Sequence, residues 1–579
     1  MKTEKPADRM TDPDRASAPL ASSLLHFAES RRQSWHIPGH DGGSLWPDWL
    51  KDHLSAMDVT ELPLTDDLNR PEGPARLAME WAASAFGAGV TRFITTGSTT
   101  ALYIMLAFAV GRQGTLLVSR CCHQSVVHAA ALLDLDLRYL PATGFPAPDQ
   151  NAVLMSDSLA SRTPVRRNPA YPDKMNPPPR LTLLPLNKIQ DVERALKLNP
   201  GCKAILLTAP DYYGGCADLQ EIARLAHAAG VLVLVDEAHG AHLSFCPELL
   251  PGSAMAAGAD ACVQSGHKTL PVLTQGAYLH LSARAISAGL LDQADLDRLI
   301  PVFQTSSPSF PIAATLDFTR AFLAMHGDRL VREQKKQHDL FAEALPPELT
   351  CQPWPLNPSA SRQMLDGRSD LATRLSRDPM RLILTTSDPD QACLIRRLAE
   401  CLTAAGIDIE FSDLTRLVLI PSLGQPQEKW KKLADVLRRS MPKAIFSATQ
   451  AGSGSISIAA MSARLFALED EWRRWLADRP EKVLAPGDAL FGSGSSGAGH
   501  IFPAAARTKP TSGRSLQWLP LGKSAGHIAA AAISPYPPGI PLIWPGERLD
   551  QDRVDFLRKL LENKTSISGI VQEKLLVLA

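Results

Sequence analysis

The chain has 579 residues, 45% hydrophobic and 21% charged, an ordinary globular composition spread over about three or four structural units. Sixty basic residues balance sixty acidic ones, so the formal net charge is zero, with no global attraction for nucleic acid or an anionic membrane. The opening MKTEKPADRMTDPDRASAPLASS lacks the apolar core of a signal peptide, and no apolar run reaches the roughly 18 residues of a membrane span.

Residues 1–22 read as a polar, flexible tail. From about residue 85 to 285, short apolar runs alternate with amphipathic stretches. RFITT (Arg92–Thr96) is a predicted strand, followed by a helix in GSTTALYIMLAFAV. TLLVS (Thr115–Ser119) leads to a helix in HQSVVHAAALL. AILLT (Ala204–Thr208) leads to LQEIARLAHAAG. VLVLV (Val231–Val235) is nearly all apolar, as expected of a strand buried on both faces. The pattern predicts an α/β fold with a mostly parallel sheet. The prolines of 141–185 predict an irregular excursion. Domain boundaries are expected at 23–305 for the large domain, 306–470 for a smaller α+β domain and 471–579 for a C-terminal domain. A Gly/Ser-rich linker, FGSGSSGAGH, falls near 490.

Nine scattered cysteines, odd in number and without a CxxC pair, give neither a disulfide framework nor a zinc knuckle. A reducing, cytoplasmic compartment is the expectation.

In open α/β sheets, ligands sit beyond the carboxyl ends of the strands. Reactive side chains recur there. Gly97, Ser98 and Thr99 open a helix, where free N–H groups and hydroxyls suit a phosphate or make a plain N-cap. His123 follows TLLVS and can stack on a planar cofactor or cap the next helix. Asp236 ends VLVLV within DEAHGAH. A carboxylate at a buried strand end needs a cationic or hydrogen-bonding partner, which a protonated pyridine nitrogen supplies. His239 and His242 with Asp236 also suggest a metal, but no HExxH or cysteine cluster accompanies them. Ser265, Gly266, His267 and Lys268 follow the predicted strand ACVQ. Burial lowers a lysine pKa and favours the neutral amine that imine formation needs. Each residue alone has a bland structural explanation. The ordered set points to pyridoxal 5'-phosphate (PLP) held as a Schiff base by Lys268.

HIPGHDGG (36–43), DVTELPLTDDLNRPEG (58–73), ITTGSTTALYIM, SRCCHQSVVHA, LLTAPDYYGGCADL, LVLVDEAHGAH, QSGHKTLPVLTQGA and SPYPPGIPLIWPGE resemble the bacterial ornithine/lysine/arginine decarboxylase family of PLP fold type I. The early position of HIPGH is similar to that in shorter members, which lack an N-terminal wing domain. The resemblance implies that Lys268 carries PLP and that Asp236 pairs with the ring nitrogen. It implies that His123 stacks on the ring and that Ser98, Thr99, Ser265 and His267 bind phosphate beside Gly97. His239 would orient the cofactor or the reacting groups. It also implies a homodimer or higher homo-oligomer, with HIPGH and DDLNRPEG near the active site, and a place in polyamine metabolism. Glu547 is the first candidate for the distal cation of a basic amino-acid substrate, followed by Asp66, Asp67 and Glu72. Asp41 and Asn69-Arg70 depart from the family pattern, which commonly has a basic residue after HxPGH and DDLHHPEG.

The expected reaction is decarboxylation of arginine, lysine or ornithine. Other fold type I reactions, aminotransfer or lyase chemistry, use the same cofactor set. A non-catalytic regulatory homologue is the reading from a different class, and the intact Lys268 and Asp236 argue against it.

Overall fold

A computed structural model of the chain describes residues 18–30, 32–140, 187–352, 376–451, 457–478, 480–491, 515–536 and 539–578. The excursion expected at 141–185 and most of the Gly/Ser-rich stretch near 490 lie outside them.

The apolar runs become the strands of one seven-stranded sheet: β1 (Val90–Ile94), β2 (Thr115–Val118), β3 (Asp136–Tyr139), β4 (Ala204–Thr208), β5 (Leu232–Asp236), β6 (Ala261–Ser265) and β7 (Ala277–Leu281). Their order is β1-β7-β6-β5-β4-β2-β3. β7 runs antiparallel to both neighbours, and the other pairs are parallel. Helices cover both faces, which is why β5 needs no polar side (Val233, Leu234 and Val235 are fully buried). The arrangement brings the carboxyl ends of β1, β2, β5 and β6 to one edge.

The domain joints are more interwoven than the linear order suggests. Helix Phe310–Ala344 packs Leu316 beside Tyr278 and Val272 of the large domain, and Phe341 in a cluster with Leu382 and Trp430. It therefore belongs to both domains. The smaller sheet contains β8 (Leu349–Cys351), β9 (Leu382–Thr386), β10 (Phe411–Ser412) and β11 (Leu417–Leu419), ordered β8-β9-β11-β10 and antiparallel throughout. Gln33–Trp35 pairs in parallel with Ile407–Ile409, and the buried Trp35 meets Trp430 edge-on at 4.8 Å. The N-terminal segment thus crosses to the small domain. Residues 19–22, expected within the flexible tail, begin helix Pro19–Glu29, with proline where its missing N–H costs nothing.

In the C-terminal part, Leu516–Pro520 and Ile528–Ala529 flank Lys574–Leu578. Helix Ile458–Ala477 contributes Leu468, Trp472 and Leu476 to the same core as Phe556 and Leu557, so it spans the boundary expected at 470. Among the described residues no helix is long and apolar enough to cross a membrane, and no cluster of His, Cys, Asp or Glu is arranged to hold a metal.

Candidate active site

Lys268 sits in the short helix Gly266–Thr269 that breaks off β6. Its Nζ lies 3.1 Å from Nε2 of His239. On the other side of that imidazole, Nδ1 meets Nη2 of Arg381 from the small domain. A guanidinium only donates, so Nδ1 accepts and the ring proton resides on Nε2. That proton faces Lys268, whose amine accepts it when neutral. Burial pushes the Lys268 ammonium down to about 8, assisted by Arg381 and opposed by Asp236 and Glu410. Geometry and electrostatics both favour a nucleophilic amine.

Asp236 ends β5 and is buried. Its Oδ1 accepts from the amide of Ala238 at 3.2 Å, and among the described residues no cation hydrogen-bonds to it. Burial raises its pKa, and the charge of Lys268 partly offsets this. A pyridinium N–H supplies the cationic donor that this carboxylate lacks.

Gly97 opens helix Gly97–Ala109 at φ +90°, a backbone conformation that glycine tolerates best. No side chain caps this helix, so its first amides remain available for phosphate. Ser98 Oγ and Ser265 Oγ lie 2.6 Å apart, which joins the ends of β1 and β6 at this point. Among the described residues Thr96 Oγ1 is buried without a partner, and Thr99 is exposed on the same turn. His267 hydrogen-bonds Gly276 O through Nδ1 at 3.2 Å, and burial pushes it down to about 4. His123 caps helix Gln124–Leu133, with Nδ1 2.8 Å from Ser125 Oγ. Burial and the nearby Lys268 push His123 down to about 4. An uncharged imidazole beside the lysine suits a stacking role.

Distant segments close the site. In HIPGH, the Gly39 amide donates to His267 O at 2.8 Å and the Ile37 amide to Glu410 Oε2 at 3.1 Å. In DDLNRPEG, Asn69 bonds Gln304, which accepts from the Thr95 amide beside Gly97. The departing residue Asp41 pairs with Lys429 at 2.6 Å. Tyr212 packs on His239, with ring centroids 4.8 Å apart.

Two of the carboxylates suggested for the substrate, Glu547 and Asp66, are engaged elsewhere. Glu547 is fully buried and paired with Arg120. It also accepts from Tyr139 at 3.1 Å and the Trp544 amide at 2.9 Å. With both oxygens engaged, it clamps the C-terminal segment to the loop before His123. Asp66 is likewise occupied by the amides of Asp67, Glu72, Gly73 and Ala75. Glu410, not singled out from the sequence, is the half-buried carboxylate whose charge reaches Lys268, Arg381 and Tyr212. Its only advance signal was an acid ending the short alternating run IDIE.

A lysine amine, a buried strand-end carboxylate with no hydrogen-bonded cation among the described residues and an uncapped helix N-terminus on one sheet edge fit the amine-binding, ring-nitrogen and phosphate needs of PLP. The fold and site define a PLP-dependent enzyme of fold type I. More narrowly, the chain belongs to the Orn/Lys/Arg decarboxylase family and is a PLP-dependent amino-acid decarboxylase: the family's major-domain model matches residues 18–161 and 181–429, and its C-terminal-domain model matches 498–574. The uncharacterized protein YaaO of Bacillus subtilis (strain 168) is 29% identical over 571 residues, 97% of this chain and 98% of its own. The arginine decarboxylase of Bacillus anthracis is 27% identical over 561 residues, 95% of this chain and 94% of its own. The structure of lysine decarboxylase A from Pseudomonas aeruginosa shares the fold, with TM-score 0.67 and 20% identity over 98% of this chain and 83% of that one.

Proposed function

We propose that the protein removes the α-carboxylate of a basic L-amino acid, releasing CO2 and the corresponding amine. The observation that carries this reading is the buried Lys268 amine, held against His239 at 3.1 Å and lowered by burial to about 8. PLP, when bound, supplies an electron sink for the pair left at Cα. Lys268 would be its attachment point, and Asp236 would keep the ring nitrogen protonated. His123 would lie against the ring. Gly97, Ser98, Thr99, Ser265 and His267 would hold the phosphate. His239 holds a proton at Nε2 beside the reacting centre, where it orients the amine and can return a proton. Among the described residues Arg381 Nε and Nη1 are buried without partners, so two nitrogens remain to donate to the substrate carboxylate. Glu410 receives the distal cation.

Arginine is the first substrate to test, because relatives aligned over nearly their whole length are arginine decarboxylases. The working form is a homodimer or a higher homo-oligomer, in keeping with exposed apolar side chains such as Trp49, Leu64 and Trp81. The test is CO2 release from arginine, lysine and ornithine by the PLP-loaded protein. Release from at least one supports the reading. A loaded protein that releases CO2 from none of them overturns it.

A further inference from the structure

Directly behind the site, four polar side chains cross the sheet in a line. Glu237 Oε2 accepts from Gln264 Nε2 at 2.7 Å. Gln264 Oε1 lies 3.1 Å from His280 Nε2, and His280 Nδ1 lies 2.7 Å from Thr91 Oγ1. Glu237 also accepts from the Ala254 amide at 2.7 Å. Glu237 and His280 are 0% exposed, and Gln264 and Thr91 are 1% exposed. This is no solvated face. Phe86 and Tyr278 pack on the His280 ring, with centroids 4.9 and 5.7 Å away.

The directions of these bonds agree with one another. Burial pushes His280 down to about 3, so the ring is neutral, with one donor and one acceptor. If Nε2–H donates to Gln264 Oε1, the Gln264 amide donates to Glu237 and Nδ1 accepts from the Thr91 hydroxyl. Thr91 and His280 are direct cross-strand partners. Gln264 lies opposite Tyr278, one diagonal step from His280.

Successive residues in a strand point to opposite faces. Asp236 and Ser265 face the cofactor site, whereas their chain neighbours Glu237 and Gln264 point behind it and bond to each other. The turn that carries His239 also rests on this ladder: a Cβ on Gly240 would fall 2.6 Å from Glu237 Cγ. We propose that Glu237, Gln264, His280 and Thr91 are positioning residues that tie the ends of β5 and β6 together and so hold Asp236 and Ser265 in register for PLP. In the ladder Glu237 accepts at both oxygens, Oε1 from the Ala254 amide and Oε2 from Gln264. Among the described residues no cation hydrogen-bonds to Glu237, the nearby Cys262 and Asp236 supply none, and burial pushes its carboxyl up to about 8. Isolated buried polar groups are costly, and a fully satisfied network confers a unique geometry.

The inference rests on Asp236 and Ser265 as cofactor residues, and Asp236→Asn in the same assay tests that premise separately. Full-length apoprotein is titrated with PLP, and the affinity, the pH midpoint of the bound-cofactor absorbance and the melting temperature are recorded. Glu237→Ala and Gln264→Leu are expected to weaken PLP binding about tenfold and to shift the pH midpoint. Thr91→Val changes both in the same direction by less, and Glu237→Gln, which keeps one acceptor oxygen and places an NH2 against a donor, falls between Glu237→Ala and the parent. A folded Gln264→Leu or Thr91→Val protein that melts earlier with unchanged affinity and midpoint would reduce the ladder to core packing and overturn the proposal. If the two harsher variants do not fold, Thr91→Val decides.

Discussion

His242 Nε2 lies 3.0 Å from Asp378 Oδ1, with both groups buried. Three residues earlier on one segment and three later on the other, His239 meets Arg381. Two ties thus join the DEAHGAH turn of the large domain to the DPMR segment of the small domain. Asp378 is desolvated, yet His242 and Arg381 hold its carboxyl below the usual range. Truncating one partner of a buried pair strands the other. Asp378→Ala is expected to cost about 3 kcal/mol in urea unfolding of the apoprotein. Asp378→Asn, which can still bond the imidazole, is expected to cost less.

The second tie acts on reactivity. Arg381 donates to His239 Nδ1, which leaves the ring proton facing Lys268. Arg381→Met removes both the donor and a nearby positive charge, so the Lys268 amine should retain its proton to higher pH. The midpoint for PLP uptake by apoprotein is expected to rise by about one pH unit. Arg381→Lys, still a cationic donor, should restore most of it. Measuring the uptake rate from pH 6 to 10 checks this, and an unshifted midpoint in Arg381→Met would remove Arg381 from control of the amine.

Lys268 also leaves a stability signature. Its amine takes up a proton near 10.5 in the unfolded chain but at about 8 in the folded one. Between these values the unfolded state binds more protons, so apoprotein stability rises with pH across that window. Lys268→Met is expected to abolish cofactor attachment and to stabilise the apoprotein at pH 7 by roughly 1–3 kcal/mol. That advantage should fade between pH 8 and 10.5. Parallel denaturant titrations of the two apoproteins check the prediction, and equal pH profiles would contradict it.

Glu547 and Glu410 should separate cleanly. Glu547→Ala leaves Arg120 buried without its carboxylate, costing about 3–5 kcal/mol, while the ratio of kcat/KM among basic amino acids stays constant. Glu410→Gln should raise KM for the preferred basic amino acid about tenfold with PLP affinity unchanged. Kinetics with the three basic amino acids, alongside unfolding of both variants, distinguish the roles.

Local sequence carried much of this molecule. The unbroken VLVLV run specifies a strand covered on both faces, because no residue in it tolerates water. The strand-end placement of Lys268, Asp236, His123 and Ser98 was legible because each follows an apolar run, and strand ends of an α/β sheet gather on one edge. Tertiary structure alone decided what depends on contacts between segments far apart in the chain. Arg381 and Glu410 reach the site only because the small domain packs against the large one, and nothing in DPMR or IDIE signals that destination. Gln33–Trp35 left the large domain because its pairing partner, Ile407–Ile409, lies more than 370 residues away. Glu547 changed from a substrate candidate to a clamp because a carboxylate's role is set by the cation it meets, and that cation, Arg120, lies 427 residues earlier.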